Sequence, residues 1–113
     1  MVQNRNKLID LFIGNLANSV VHEILEKAAE DRDLSNRYHK ELTTSFEIAK
    51  KYRNKINPLN NSLPDKDIIY IKSKITKKVR AELSLRISKG YENINLDLVE
   101  ELVEKSLKDA KVI

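Results

Sequence analysis

The chain has 113 residues, a net charge of +4, two glycines, two prolines and no cysteine. That length predicts one domain spanning 1–113 with a small core of its own. The missing thiols exclude a disulfide framework and a thiolate zinc site, and they fit a reducing, cytoplasmic setting or a thermophile sparing labile side chains.

No unbroken apolar run approaches the roughly 20 residues of a membrane span. The opening Met1-Val2-Gln3-Asn4-Arg5-Asn6-Lys7 leads into interrupted apolar positions without a small-residue cleavage site. The expectation is a soluble, unprocessed protein with no membrane role.

Ile9, Phe12, Ile13, Leu16, Val20 and Ile24 recur at three- and four-residue steps, predicting a first helix over about 6–30 with Asn4 or Asn6 as its N-cap. Leu8, Leu11 and Val21 fall off this stripe. An apolar arc this wide suits either the central helix of a bundle or a contact with a second copy, with Leu8 and Leu11 exposed in the isolated subunit.

Glu30-Asp31-Arg32-Asp33 reads as a turn, and Ser35 as the N-cap of a second helix whose inner face is Tyr38, Leu42, Ser45, Ala49, Tyr52 and Ile56. Pro58 ends that helix. The segment 58–64 is turn-rich and separates hairpin 6–57 from hairpin 65–110.

Ser62, with Asp65 three residues on, predicts the cap of a third helix with Ile68, Ile71, Ile75, Val79, Leu83 and Ile87 as its core face. Gly90 stops it. Asn95 caps a fourth helix, with Ile94 and Val99 as a staple and Leu98, Leu102, Val103 and Leu107 facing inward. The fold class is all-α, a four-helix bundle or two stacked antiparallel hairpins.

Charge is concentrated in the third helix. Residues 65–90 hold eight Lys/Arg against three acids, a net +5. At 100° per residue, Lys66, Tyr70, Lys74 and Lys77 lie opposite the core stripe, with Ala81, Ser84 and Ser88 between and beyond them. Arg37, Lys40, Lys51 and Lys55 make a similar stripe on helix two. Together with Lys78 and Arg80 these residues are the candidate nucleic-acid contacts, because clustered cations with interleaved polar groups and an exposed tyrosine suit a polyanion. Such a face also serves solubility alone. Lys72 and Arg86, nearer the core, are expected to lay their stems on apolar surface and reach the acids of helix four. Tyr70 and Tyr91 either stack on bases or cover a core edge.

The chain predicts no catalytic residues, metal or cofactor. His22 and His39 lie in different helices without a metal-ligand spacing, and His22 reads as structural. Arg32-Asp33-Leu34-Ser35-Asn36-Arg37-Tyr38-His39 resembles the R-x(4–6)-H motif of a helical nucleotide-binding family found in prokaryotic toxins, which implies metal-free RNA cleavage. Here Arg32 is expected to sit in the turn, diverging from His39.

A second resemblance covers residues 5–58. An N-terminal helix, then Asp33-Leu34-Ser35-Asn36-Arg37-Tyr38, Leu42 and Ile48-Ala49-Lys50-Lys51-Tyr52-Arg53-Asn54-Lys55-Ile56-Asn57-Pro58, resembles the helical hairpin opening the zinc-ribbon protein subunit of archaeal and eukaryotic ribonuclease P. The resemblance implies RNA binding within a ribonucleoprotein beside another protein subunit. The four zinc-binding cysteines of that family have no counterpart here, and two further helices follow.

The expectation is a non-enzymatic RNA- or ribonucleoprotein-associated helical module, with a homo-oligomeric assembly subunit as the alternative.

Overall fold

A computed structural model describes residues 4–57 and 61–113. Four helices account for the fold: α1 (Arg5–Ala28), α2 (Arg32–Ile56), α3 (Asp65–Ser88) and α4 (Val99–Asp109). Among the described residues there is no strand, so the all-α expectation holds. The expected stop at Pro58 lies outside the described residues; α2 ends at Ile56.

α1 and α2 run antiparallel, as the paired levels Asn18–Ser45, His22–Glu41 and Glu26–His39 show. Arg5 bonds to Asp67, which puts the starts of α1 and α3 at the same end. Lys72–Glu104 and Arg80–Glu100 make α4 antiparallel to α3. The bundle is therefore up-down-up-down and measures 43 × 24 × 23 Å.

α1 packs against α2, α3 and α4, which explains its wide apolar arc. Leu8 and Val21, expected off the stripe, are buried, and Leu11 is half-buried. The surface expected to hold a second copy is thus largely spent inside the chain. By length and composition α1 could cross a membrane, a point hidden from a search for unbroken apolar runs; 67% of its apolar window is buried within the bundle.

Chain ends and turns follow local chemistry, with two departures from the sequence reading, at the starts of α2 and α3. Asn4 caps α1, its side chain accepting from the Asn6 amide. α2 begins at Arg32 because Asp31, not Ser35, accepts from the Asp33 amide. Ser62 does not cap α3; the Pro64 carbonyl instead receives the amides of Asp67 and Ile68. Asn95 does cap, accepting from Asp97, although it starts a single 3-10 turn that feeds α4.

Gly90, at φ +100°, closes α3 with its amide on Ile87 and the Tyr91 amide on Arg86, the paired bonds of a Schellman motif. Ile87, expected in the core, is 41% exposed. α4 meets α3 at Arg80–Glu100, near its own start, so Ile87 lies two turns past the region α4 covers.

The core contains Phe12, Leu16, Val20, Ile71, Ile75, Val79, Leu83, Val103 and Leu107, all fully buried or nearly so. One arginine joins them. Arg53 is 1% exposed and lies on the inner stripe of α2, four residues after Ala49 and three before Ile56. Its Nε donates to the Lys111 carbonyl at 3.0 Å, Nη1 to the carbonyl and side-chain oxygen of Asn57, and Nη2 to the Asn61 carbonyl.

No carboxylate faces the buried guanidinium among the described residues. Three of its four acceptors, on Asn57 and Lys111, come instead from the carboxyl ends of α2 and α4, where each helix concentrates about half a negative charge, and the fourth is the Asn61 carbonyl before α3. Burial lowers its pKa from the ordinary value, yet an arginine keeps its proton. Arg53 thereby ties α2, the chain before α3 and the C-terminal tail into one knot. Lys111 sits at φ +65°, a conformation costly to a non-glycine residue, with its carbonyl held in that knot.

A candidate nucleic-acid interface on α3

The cations of α3 fall into two sets by the direction they face. On the α4 side, Lys72 Nζ meets Glu104 at 2.7 Å and Arg80 meets Glu100 at 3.4 Å. Arg86, expected to reach α4, turns to its own helix: Nε bonds Glu82 at 3.1 Å and the guanidinium lies 5.4 Å from the Tyr91 ring. These charges are neutralised within the fold, and Arg80 leaves the set of open contacts. Tyr91 takes the covering role, lining a hollow at the turn end with Leu25, Leu34, Tyr38 and Ile94.

Toward α1 and solvent, Lys66, Lys74, Lys77 and Lys78 are exposed and have no ion-pair partner among the described residues. Tyr70 stands among them, 45% exposed, with Lys74 Nζ 5.7 Å from its ring centre. Two open clefts run between α1 and α3 here. One of about 540 Å³ is lined by Asn6, Ile9, Asp10, Lys66, Asp67 and Tyr70. Its neighbour, of about 420 Å³, is lined by Asp10, Ile13, Tyr70, Lys74 and Lys78. The clefts adjoin at Tyr70 and Asp10, which line both.

α2's candidates are exposed but dispersed. Helix α2 packs on α1 and forms no packed layer with α3, so the two basic stripes are separate surfaces. Arg37 and Lys40 flank His39, level with Glu26 near the end of α1. Lys51 and Lys55 lie toward the opposite end; Lys55 covers the Tyr52 ring at 5.6 Å, and Lys51 borders a cleft shared with Asp109 and Lys111.

Arg32 is the first residue of α2, not a turn residue, so it lies on the same helix as His39, about 10 Å away along the axis. His39 Nδ1 is bound to Glu26 at 2.8 Å and its side chain is 64% exposed. His22 is buried between the Asn18 carbonyl and Glu41, with its ring against Tyr38, which makes it a helix-packing residue. Among the described residues no group of three His, Cys, Asp or Glu could hold a metal ion.

Sequence reasoning found the lysines and Tyr70 from helical periodicity. It missed Asp10, a lone acid on the outer face of α1, because its place opposite Tyr70 depends on how α1 and α3 cross. No protein-family model, curated protein or solved structure matches this chain.

Proposed function

We propose that this chain is a non-enzymatic helical module that binds RNA or another nucleic acid through the α1-facing and outer side of α3. The observation that carries the reading is the group of four lysines, 66, 74, 77 and 78, left without carboxylate partners around an exposed tyrosine and beside open clefts. Neighbouring cations on the same helix are matched to acids. Unmatched cations repel one another and gain from a polyanion that displaces its counterions. The hairpin's resemblance to a ribonuclease P subunit adds support for RNA within a ribonucleoprotein, in a cytoplasmic setting.

Binding measured across a salt series tests this. Four phosphate contacts give a slope of log K against log salt of about −3 for a single strand. A flat dependence, or no binding at low salt, rejects it.

The second reading is an assembly subunit. It draws on Ile69, Leu85 and Ile87, exposed on the same helix, and an association built on them would persist at high salt.

A further inference from the structure

Three features compete for a further reading: the hollow beneath Tyr91, the Arg53 knot and the paired clefts at Tyr70. The hollow is open but lined by core-edge residues and two acids, with no cation, and every group in the knot is spoken for. The clefts are different, because they combine an exposed aromatic ring, unpartnered cations and an unpartnered acid.

Lys66, Tyr70, Lys74 and Lys78 follow one another at four-residue steps along α3. Each step advances about 6 Å along the axis, and the row spans about 18 Å. That interval is comparable to the distance between successive phosphates of an extended single strand, so the row has room for about three nucleotides.

Tyr70 separates the two clefts, with Lys66 beyond it on one side and Lys74 and Lys78 on the other. A planar base entering either cleft meets the ring, while its phosphate meets a lysine on the α3 side. Lys74, near the ring, helps to hold its orientation. A duplex keeps its bases stacked on each other and cannot use Tyr70 in this way.

On the α1 side both clefts present Asp10, which has neither an ion pair nor a side-chain hydrogen bond among the described residues. A carboxylate only accepts hydrogen bonds. It therefore suits the amino group of cytosine, or the adjacent N–H donors of guanine, and is repelled by the two carbonyl oxygens flanking the single N–H of uracil.

Resting on the nucleic-acid reading above, we propose that the α1–α3 clefts form a single-strand site in which Tyr70 stacks on a base, Lys66, Lys74 and Lys78 hold phosphates on either side of it, and Asp10 selects amino-bearing bases over uracil.

The test is fluorescence anisotropy with the full chain at low salt. The probes are oligocytidylate and oligouridylate of about 12 nucleotides and an RNA duplex of similar length. The expected order is oligocytidylate, then oligouridylate, then duplex. Tyr70→Ala should weaken single-strand binding about 5- to 100-fold, with Tyr70→Phe close to the parent. Asp10→Ala should weaken oligocytidylate binding and strengthen oligouridylate binding, since it removes both a base acceptor and a charge that opposes phosphate. A merely structural or purely electrostatic Asp10 would shift both ligands the same way.

Circular dichroism confirms that each variant is folded; Tyr70 and Asp10 are exposed, so helicity should be unchanged. Equal binding of duplex and single strand, an inert Tyr70→Ala, or parallel shifts in Asp10→Ala would overturn the site while leaving nucleic-acid binding standing. Failure of the parent protein to bind all three probes would overturn both.

Discussion

The two flanks of α3 carry the same kinds of side chain under different constraints. On one flank Lys72 and Arg80 lie against α4, whose sequence supplies Glu100 and Glu104 at matching levels. On the other, Lys66, Lys74 and Lys78 line clefts beside α1, whose exposed strip offers a single acid, Asp10, to three lysines. Helix propensity and solubility do not require that asymmetry, because a solvated face is served as well by mixed charge. The difference teaches that composition alone cannot assign a basic helix a role; what counts is which of its cations the fold has already matched.

Arg53 is the extreme case of a matched cation, and it gives the largest expected effect. Arg53→Ala removes the donors to the Lys111, Asn57 and Asn61 carbonyls and leaves a hole where the guanidinium packed. We expect a loss of about 3–5 kcal/mol, from acceptors left without partners together with lost packing. Urea unfolding checks this, and a midpoint near the parent's would show that the knot contributes little. Arg53→Lys should recover only a small part, since an ammonium cannot reach acceptors spread around a planar fork.

Leu8 gives the next effect and decides between the two explanations of the wide arc on α1. It is 5% exposed within the single chain. Leu8→Ala should therefore cost about 2–4 kcal/mol of stability at any protein concentration. If Leu8 instead served an interface between copies, the change would alter the sedimentation coefficient and leave the stability of the dilute protein intact.

The number and type of helices were legible in the sequence because apolar steps of three and four residues persist through each of them. Asn4, Asn95 and Gly90 mark boundaries by chemistry confined to a few neighbouring residues, and all three act as expected. The misread boundaries, at Arg32 and Ser62, lie where several cap residues compete within one turn. Arg53 was legible as a position on the inner stripe of α2 but not as a buried side chain, since one of its acceptors comes from a second helix end 58 residues away. Ile87 fits the α3 stripe, but nothing in its own segment tells that α4 starts too late to cover it. Asp10 and Tyr70 belong to the same class: each is visible alone, and only the packing of α1 on α3 makes them opposite walls.

Reversing charge on the open flank sharpens the contrast at the level of binding. Lys74→Glu with Lys77→Glu should leave stability within about 0.5 kcal/mol of the parent, as usual for exposed sites. Nucleic-acid affinity at low salt should fall by at least about tenfold, with the salt slope shallower by roughly 1.5. The matching change on the closed flank, Lys72→Gln, should leave affinity nearly unaltered. Equal losses from both flanks would show that only total charge matters.

The smallest expected effect concerns the closed flank itself. Lys72 holds the Glu104 carboxyl below the usual range, first by its hydrogen bond and then by its charge, with Lys108 adding to the field. A carboxyl whose folded pKa is depressed contributes stability that is present above its unfolded value, ~pH 4.3 for glutamate, and lost as pH falls through the folded value. Comparing the parent with Glu104→Gln, the gap in thermal midpoint should be constant near neutral pH, narrow as pH drops below about 5, and close at lower pH still. Because both side chains are about half exposed, the gap should be small and shrink with added salt. Lys72→Gln should abolish the pH dependence of that gap, since Glu104 would then titrate like an ordinary glutamate. Persistence of the same acid-dependent gap in the Lys72→Gln background would assign the shift to another cation, with Lys108 the one in reach.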